Sequence, residues 1–118
     1  MTNEELKQAV NYDIKGISDD LKALEVRDAD VAVPRTTLKE IEKIVKDSWE
    51  TKGTQTGLDK LLEKTETLKD AIEGGIVFPL FDRDSDLSRD DLEGYVEDAA
   101  KIASALTNEL TTNYLTAN

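Results

Sequence analysis

The sequence has no cysteine and no histidine, and these two absences exclude much of the chemistry available to a small enzyme. Without cysteine there is no disulfide, no thiolate metal site and no thiol nucleophile. Without histidine the chain lacks the commonest general base and metal ligand, and the side chain that normally changes charge near neutral pH. We therefore expect a protein that is not an enzyme and has no cofactor.

Aromatic residues and long apolar runs are also scarce. The chain has one tryptophan, three tyrosines and two phenylalanines, so its core must consist mainly of aliphatic side chains. No stretch approaches the ~18 apolar residues of a membrane-spanning helix. The opening MTNEELKQAV is polar and acidic and has no apolar signal-peptide region. These features predict a cytoplasmic protein without a membrane partner.

Negative charge dominates the chain, with 26 Asp and Glu against 15 Lys and Arg and a formal net charge of −11. Nucleic acids and anionic lipids bind basic surfaces, so we expect neither as a direct ligand. The excess is concentrated near the last third of the chain. Residues 82–98 contain eight acidic side chains and two arginines, whereas residues 36–73 contain nine acids and seven bases.

Apolar residues recur at steps of three and four in four separate stretches, which is the period of an amphipathic helix. We predict helices over about residues 2–26, 37–52, 57–73 and 88–115. Each predicted helix starts with a hydroxyl residue three positions before an acidic one, which is the spacing of an N-cap: Thr2, Thr37, Thr56 and Ser88. The apolar stripes as assigned contain no carboxylate, which argues against a di-metal centre inside the bundle.

The fold predicted for residues 1–118 is a single all-α domain, an up-down-up-down four-helix bundle with longer first and last helices. Residues 27–35, which include Pro34, are predicted to form a loop that packs Val31 and Val33 onto one end of the bundle. An extended apolar segment, residues 76–81, precedes the last helix. Gly16 is either a tolerated glycine within the first helix or a point where a neighbouring helix approaches closely.

The spacing of the oxygen ligands of a calcium loop occurs in Asp82–Glu93. Three features depart from that pattern, because Leu87 stands where the loop needs glycine, Arg89 stands where it needs an aliphatic residue, and Pro79 interrupts the helix that should lead into it. A helix start, with Leu87 and Leu92 as a hydrophobic staple, explains this stretch better. A calcium-binding module remains a distant alternative, with weak metal candidates Asp82, Asp84, Asp86 and Glu93.

An acidic interaction surface is the main functional hypothesis. It would dock onto a basic protein partner through residues Asp82, Asp84, Asp86, Asp90, Asp91, Glu93, Glu97 and Asp98. The simpler interpretation is that the acidity serves solubility alone. The size and helical pattern are shared by small bacterial immunity proteins, phage-encoded inhibitors and phage structural adaptors, and no motif selects among these classes.

Self-association is the second functional hypothesis. The outer face of the last helix is uncharged beyond Lys101 and lies beside several alanines, which permits close packing against another surface. A structural or adaptor subunit could use this face together with the apolar contact residues Val77, Phe78, Leu80 and Phe81. The sequence therefore leaves a homo-oligomer open as an alternative to a basic partner.

Overall fold

The computed structural model of the protein describes residues 2–26, 30–51, 54–74 and 89–116, without the side chains of residues 51 and 89–92. These ranges contain four α-helices and no strand: α1 (Asn3–Val26), α2 (Ala32–Ser48), α3 (Gln55–Ile72) and α4 (Arg89–Asn113). A 3-10 turn, Trp49–Thr51, continues α2. The predicted all-α four-helix fold is confirmed. The first and last helices, with 24 and 25 residues, are longer than the middle two, with 17 and 18.

The helices pack in a ring in which neighbours in sequence are neighbours in space. α1 packs most extensively on α4, α3 contacts both α4 and α2, and α2 also contacts α1. The indole N–H of Trp49, after the end of α2, donates to Asn3 Oδ1 at the start of α1 at 2.8 Å. Because this contact joins the end of α2 to the start of α1, the two helices are antiparallel, as expected for a bundle with short connections.

The core is aliphatic, as the composition predicts, with Trp49 and Tyr114 closing one end. Full burial of such side chains is worth roughly 1.5–3 kcal/mol each, which makes this cluster the main source of stability. Its largest members that are completely or almost completely buried are Tyr114, Leu6, Ile17, Leu21, Leu24, Ile41, Leu61, Leu68, Ile72, Leu106 and Leu110.

The start of α2 differs from the sequence prediction, which was wrong to treat Pro34 as part of a loop. The helix begins at Ala32, and Pro34 lies in its first turn, where a missing backbone N–H costs no helical hydrogen bond. Asp30 Oδ1 accepts from the Ala32 N–H at 3.1 Å. Thr37 is therefore not a cap; it is buried inside the helix and its hydroxyl donates to the Val33 carbonyl at 3.1 Å.

Two other local predictions can be checked at helix starts. The Thr2 cap of α1 is confirmed, because Thr2 Oγ1 accepts from the Glu5 N–H at 3.1 Å. The cap of α3 is Thr54 rather than Thr56, and its hydroxyl oxygen accepts from the Gly57 N–H at 3.1 Å. The predicted Ser88 cap and the staple partner Leu87 lie outside the described residues.

The predicted packing of the 27–35 connection is half right. Val31 is buried against the core, whereas Val33 is 63% exposed. The early start of α2 accounts for the difference, because successive helical positions point about 100° apart and two residues so close in sequence cannot face the same side. Val33 therefore points outward once the chain has become helical.

Close contact between α1 and α4 depends on small residues on both helices. Ala99 and Ala103 of α4 are completely buried. They lie in the core of this chain, and are not available for the self-association contact that the sequence suggested. A Cβ added to Gly16 of α1 would lie 2.9 Å from Ile102 Cδ1, so the neighbour that approaches this glycine is a side chain of α4.

Gly16→Ala is expected to change stability little on its own, because a gain of about 1 kcal/mol in helix propensity is offset by pressure on Ile102. Ile102→Val removes the Cδ1 atom that the new Cβ would meet. In that background Gly16→Ala should stabilise the protein, and a double-mutant cycle should give a coupling of about 0.5–1 kcal/mol. Urea unfolding of the four proteins checks this, and additive effects would contradict the contact.

Candidate functional site: paired carboxyl groups between α1 and α4

Two acidic side chains of α1 lie in the interior of the bundle. Asp13 is 8% exposed and Asp20 is 9% exposed. The expectation that the apolar stripes contain no carboxylate was therefore wrong for α1. The two residues follow Leu6 at seven-residue intervals, and this heptad spacing places them on the buried face with Val10 and Ile17.

Each buried aspartate meets an acidic side chain of α4. The carboxyl group of Asp13 lies within hydrogen-bonding distance of that of Glu109. The carboxyl group of Asp20 is similarly close to that of Asp98. Since the residue number rises along α1 as it falls along α4, the two helices are antiparallel. We call Asp13–Glu109 and Asp20–Asp98 the two carboxyl pairs.

Removal from water is the main reason why these groups titrate unusually. The pKa of Asp13 rises from an ordinary value of 3.8 to about 7, mainly because the group is buried and also because of the hydrogen bond to Glu109 and the repulsion of its charge. The pKa of Asp20 also rises to about 7, mainly because the group is buried, with smaller contributions from the hydrogen bond to Asp98 and from the charges of Asp98 and Asp19.

The hydrogen bond within each pair requires a proton. Ionised carboxylates only accept hydrogen bonds. In the described part of the chain no donor faces the buried oxygens Asp13 Oδ2, Asp20 Oδ2 or Glu109 Oε2. One protonated carboxyl group per pair supplies the missing donor. Each pair therefore holds one shared proton up to about neutral pH, as expected for a buried carboxyl group beside a second carboxyl group.

The pairs make this chain responsive to changes of pH near neutrality, which its composition did not indicate. Histidine is absent, and ordinary carboxyl groups titrate near pH 4. Tertiary packing moves two aspartates into the range in which histidine normally acts.

Raised carboxyl pKa values are also common in active sites, so the position of the pairs relative to two clefts of the described bundle matters. One cleft of about 320 Å³ lies between α1 and α2 and is lined by residues including Leu21, Arg35 and Leu38. Another of about 280 Å³ lies between α2 and α3. Neither cleft is lined by a member of a carboxyl pair. Among the described residues, no group of three or more potential ligands could hold a metal ion.

The sequence-predicted contact residues are only partly within the described structure. Glu97 and Asp98 are exposed on α4, and Glu93 is half-buried. Asp90 and Asp91 belong to the first turn of α4, but their side chains lie outside the description, as do all three aspartates of the 82–86 run and the apolar contact residues: Asp82, Asp84, Asp86, Val77, Phe78, Leu80 and Phe81. Of the weak metal candidates, only Glu93 is described.

Packing of α1 against α4 divides the bundle into an acidic side and a balanced side. Together α1 and α4 contain twelve acidic and five basic residues, whereas α2 and α3 together contain seven of each. Ion pairs among the described residues involve the balanced side: Lys64 Nζ lies 2.6 Å from Glu40 Oε2, and Arg35 of α2 pairs with Glu25 of α1. Exposed Asp19 lies close enough to Asp20 for its charge to act on that carboxyl group.

Comparison with protein-family models, with curated proteins and with solved structures finds no match to this chain. No relative therefore assigns a role to the carboxyl pairs or to the acidic side of the bundle. In the described ranges no helix is both long and apolar enough to cross a membrane.

Proposed function

We propose that this protein is a small binding module that docks the acidic side formed by α1 and α4 onto a basic protein, as an inhibitor or immunity-type protein would. The observation that carries the proposal is that exposed Asp19 of α1 and exposed Asp98 of α4 both lie close enough to Asp20 for their charges to act on its carboxyl group. Acidic residues that are distant in sequence thus contribute to one surface. That surface lies towards the start of α4. The acidic 82–86 run comes just before this helix in the sequence.

The division of charge supports a directed surface over acidity spread for solubility. A chain that needs only solubility has no reason to keep one half of its bundle neutral, yet α2 and α3 carry equal numbers of acids and bases. An acidic side of this kind attracts basic partners from a distance and orients them during association. The partner chemistry that fits is a protein surface rich in lysine and arginine.

Charge reversal at exposed positions tests this proposal. We expect Asp19→Lys/Glu97→Lys to weaken capture of partner proteins from the native cell by at least about tenfold, because it places positive charge on the docking side. Glu42→Lys/Glu66→Lys is the matched control, since both residues are exposed, on α2 and α3, and the change in net charge is the same. Reversal at Asp84, Asp86 and Asp90 should act like the first variant.

Salt provides the second arm of the same experiment. Binding through the acidic side should weaken steeply between about 50 mM and about 500 mM salt, because exposed charges are screened over that range. Equal losses in the test and control variants, or binding that is indifferent to salt, would contradict the proposal. Assembly that persists at high salt, together with a particle larger than a monomer by light scattering, would favour the self-associating subunit instead.

A further inference from the structure

The carboxyl pairs have a feature that docking does not require: the aspartate that α1 contributes to each pair is buried at the contact with α4. They lie two helical turns apart along α1, with Gly16 and its close contact to Ile102 between them. Exposed acidic side chains would serve a docking surface equally well. Burying Asp13 and Asp20 costs solvation energy unless each is neutral or paired with a donor, so their inward position links α1–α4 packing to protonation.

Among the residues that the structure describes, the groups around the pairs do not supply a compensating positive charge. The neighbours that act on Asp13 and Asp20 are all acidic: Glu109 and Asp98 from α4, and Asp19 from α1 itself. From α2, the charges of Arg35 and Lys39 act on Glu25. From α3, which packs on the other side of α4, the buried polar residue is Thr65, whose hydroxyl donates to the Leu62 carbonyl of its own helix.

We propose that the α1–α4 interface is a pH-operated latch, closed while each carboxyl pair shares a proton and released at the Asp98 end of α4 when both protons are lost to solvent. In the closed state each pair makes a charge-assisted O–H···O⁻ hydrogen bond, which is among the stronger hydrogen bonds in proteins. Loss of the proton leaves two carboxylates side by side, with the buried oxygens of the pair facing no donor among the described residues. Repulsion and desolvation then both oppose the closed interface.

The Asp98 end is the one that opens because the two ends of α4 are held differently. At the Asp20–Asp98 pair, Asp98 is exposed, Asp19 adds another negative charge, and the first turn of α4 contains further acidic residues. At the opposite end Tyr114 is 1% exposed and its ring meets that of Trp49 edge-on, with centroids 5.6 Å apart. The aromatic contact holds that end while the acidic end separates.

Amide hydrogen exchange between pH 5 and pH 8, corrected for the intrinsic exchange rate, tests the latch on the whole protein. We expect protection around Asp98 and Ala103 to fall by up to about tenfold per pH unit for each shared proton until about pH 7, and then to level off. Protection around Leu61 in α3 should change much less. Asp20→Asn should remove most of the fall near Asp98, since an amide N–H replaces the shared proton with a permanent donor.

Glu97→Gln is the matched control, because it removes an exposed charge of α4 next to Asp98 without touching a pair. It should keep the full pH dependence. If Asp20→Asn does not fold, Asp98→Asn offers the same replacement from the exposed side of the pair. Protection that is the same at pH 5 and pH 8, or that falls equally in α3 and α4, overturns the latch. Neither result bears on the docking proposal, which depends on exposed charges and on salt.

Discussion

Replacing Asp13 and Asp20 together with asparagine is expected to stabilise the protein at pH 8 by about 1–2 kcal/mol per site and to have little effect at pH 4. Linkage gives the sign. The folded state raises the pKa of both groups from 3.8 to about 7, so between these values it binds more protons than the unfolded chain. The free energy of unfolding therefore falls as pH rises through this window and levels off above it.

The expected stabilisation per site is smaller than the maximum that the pKa shift allows, which is about 1.4 kcal/mol per pH unit for each group. Water at the edge of the interface, where Asp98 is exposed, screens part of the repulsion. Asparagine has nearly the same size as aspartate and stays neutral at all pH values. Its amide can donate to the carboxylate of the partner where aspartate would need a proton, so the cost of ionising the pair disappears.

Urea unfolding at pH 4, pH 6 and pH 8 measures this effect. The control is Asp47→Asn/Asp70→Asn, which makes the same chemical change at exposed positions of α2 and α3. This control measures how much stability the protein gains simply because its net charge of −11 becomes smaller in magnitude. A stabilisation of the same size in the control, or one that does not grow with pH, would show that the pairs do not govern the pH dependence.

Trp49→Ala is expected to destabilise the protein by about 3–5 kcal/mol, a large share of the stability of a domain of this size. Trp49 is 5% exposed, and its indole N–H donates to Asn3 Oδ1 at 2.8 Å. Its ring also packs edge-on against Tyr114 with an interplanar angle of 82°. Truncation removes the contact that joins the start of α1 to the ends of α2 and α4, and leaves a cavity at that end of the core.

Trp49→Phe separates the two parts of this effect. Phenylalanine keeps an aromatic ring beside Tyr114 but loses the donor to Asn3. We therefore expect the free energy of unfolding to fall by about 1–2 kcal/mol, because the Asn3 side chain is left unpaired and the ring is smaller. Far-UV circular dichroism during urea unfolding provides the measurement, since the only tryptophan fluorophore is the residue replaced. A loss below about 1 kcal/mol for Trp49→Ala would show that this end of the bundle is loosely packed.

Helix positions were predictable because the signals are local. The steps of three and four that place Leu6, Val10 and Ile17 on one face can be read along a single stretch of chain, and they located the four helices of the described ranges. The errors at their starts are local as well. Pro34 was interpreted as a helix breaker although the first turn of a helix accepts proline, and Thr54 and Thr56 both offer a capping hydroxyl so near the start of α3 that spacing alone chose the wrong one.

The carboxyl pairs were not predicted, although part of their signal is present in the sequence. The seven-residue spacing from Leu6 to Asp13 and Asp20 indicates a shared buried face, but a polar residue in an amphipathic pattern is normally assigned to the solvent side. Glu109 carries no comparable signal. Its role depends on which residue of α1 lies opposite, and this is set by the packing of two helices at opposite ends of the chain.

By itself the sequence determined the helices of the described ranges, the aliphatic core and the excess of negative charge, because periodicity and composition act through near neighbours or through sums over the chain. Only the tertiary structure decided that α1 packs on α4 and thereby pairs Asp13 with Glu109 and Asp20 with Asp98. A pKa depends on burial and on charges that are close in space, and neither quantity exists until the helices have packed. For that reason a chain without histidine acquires groups that titrate near neutral pH only when it folds.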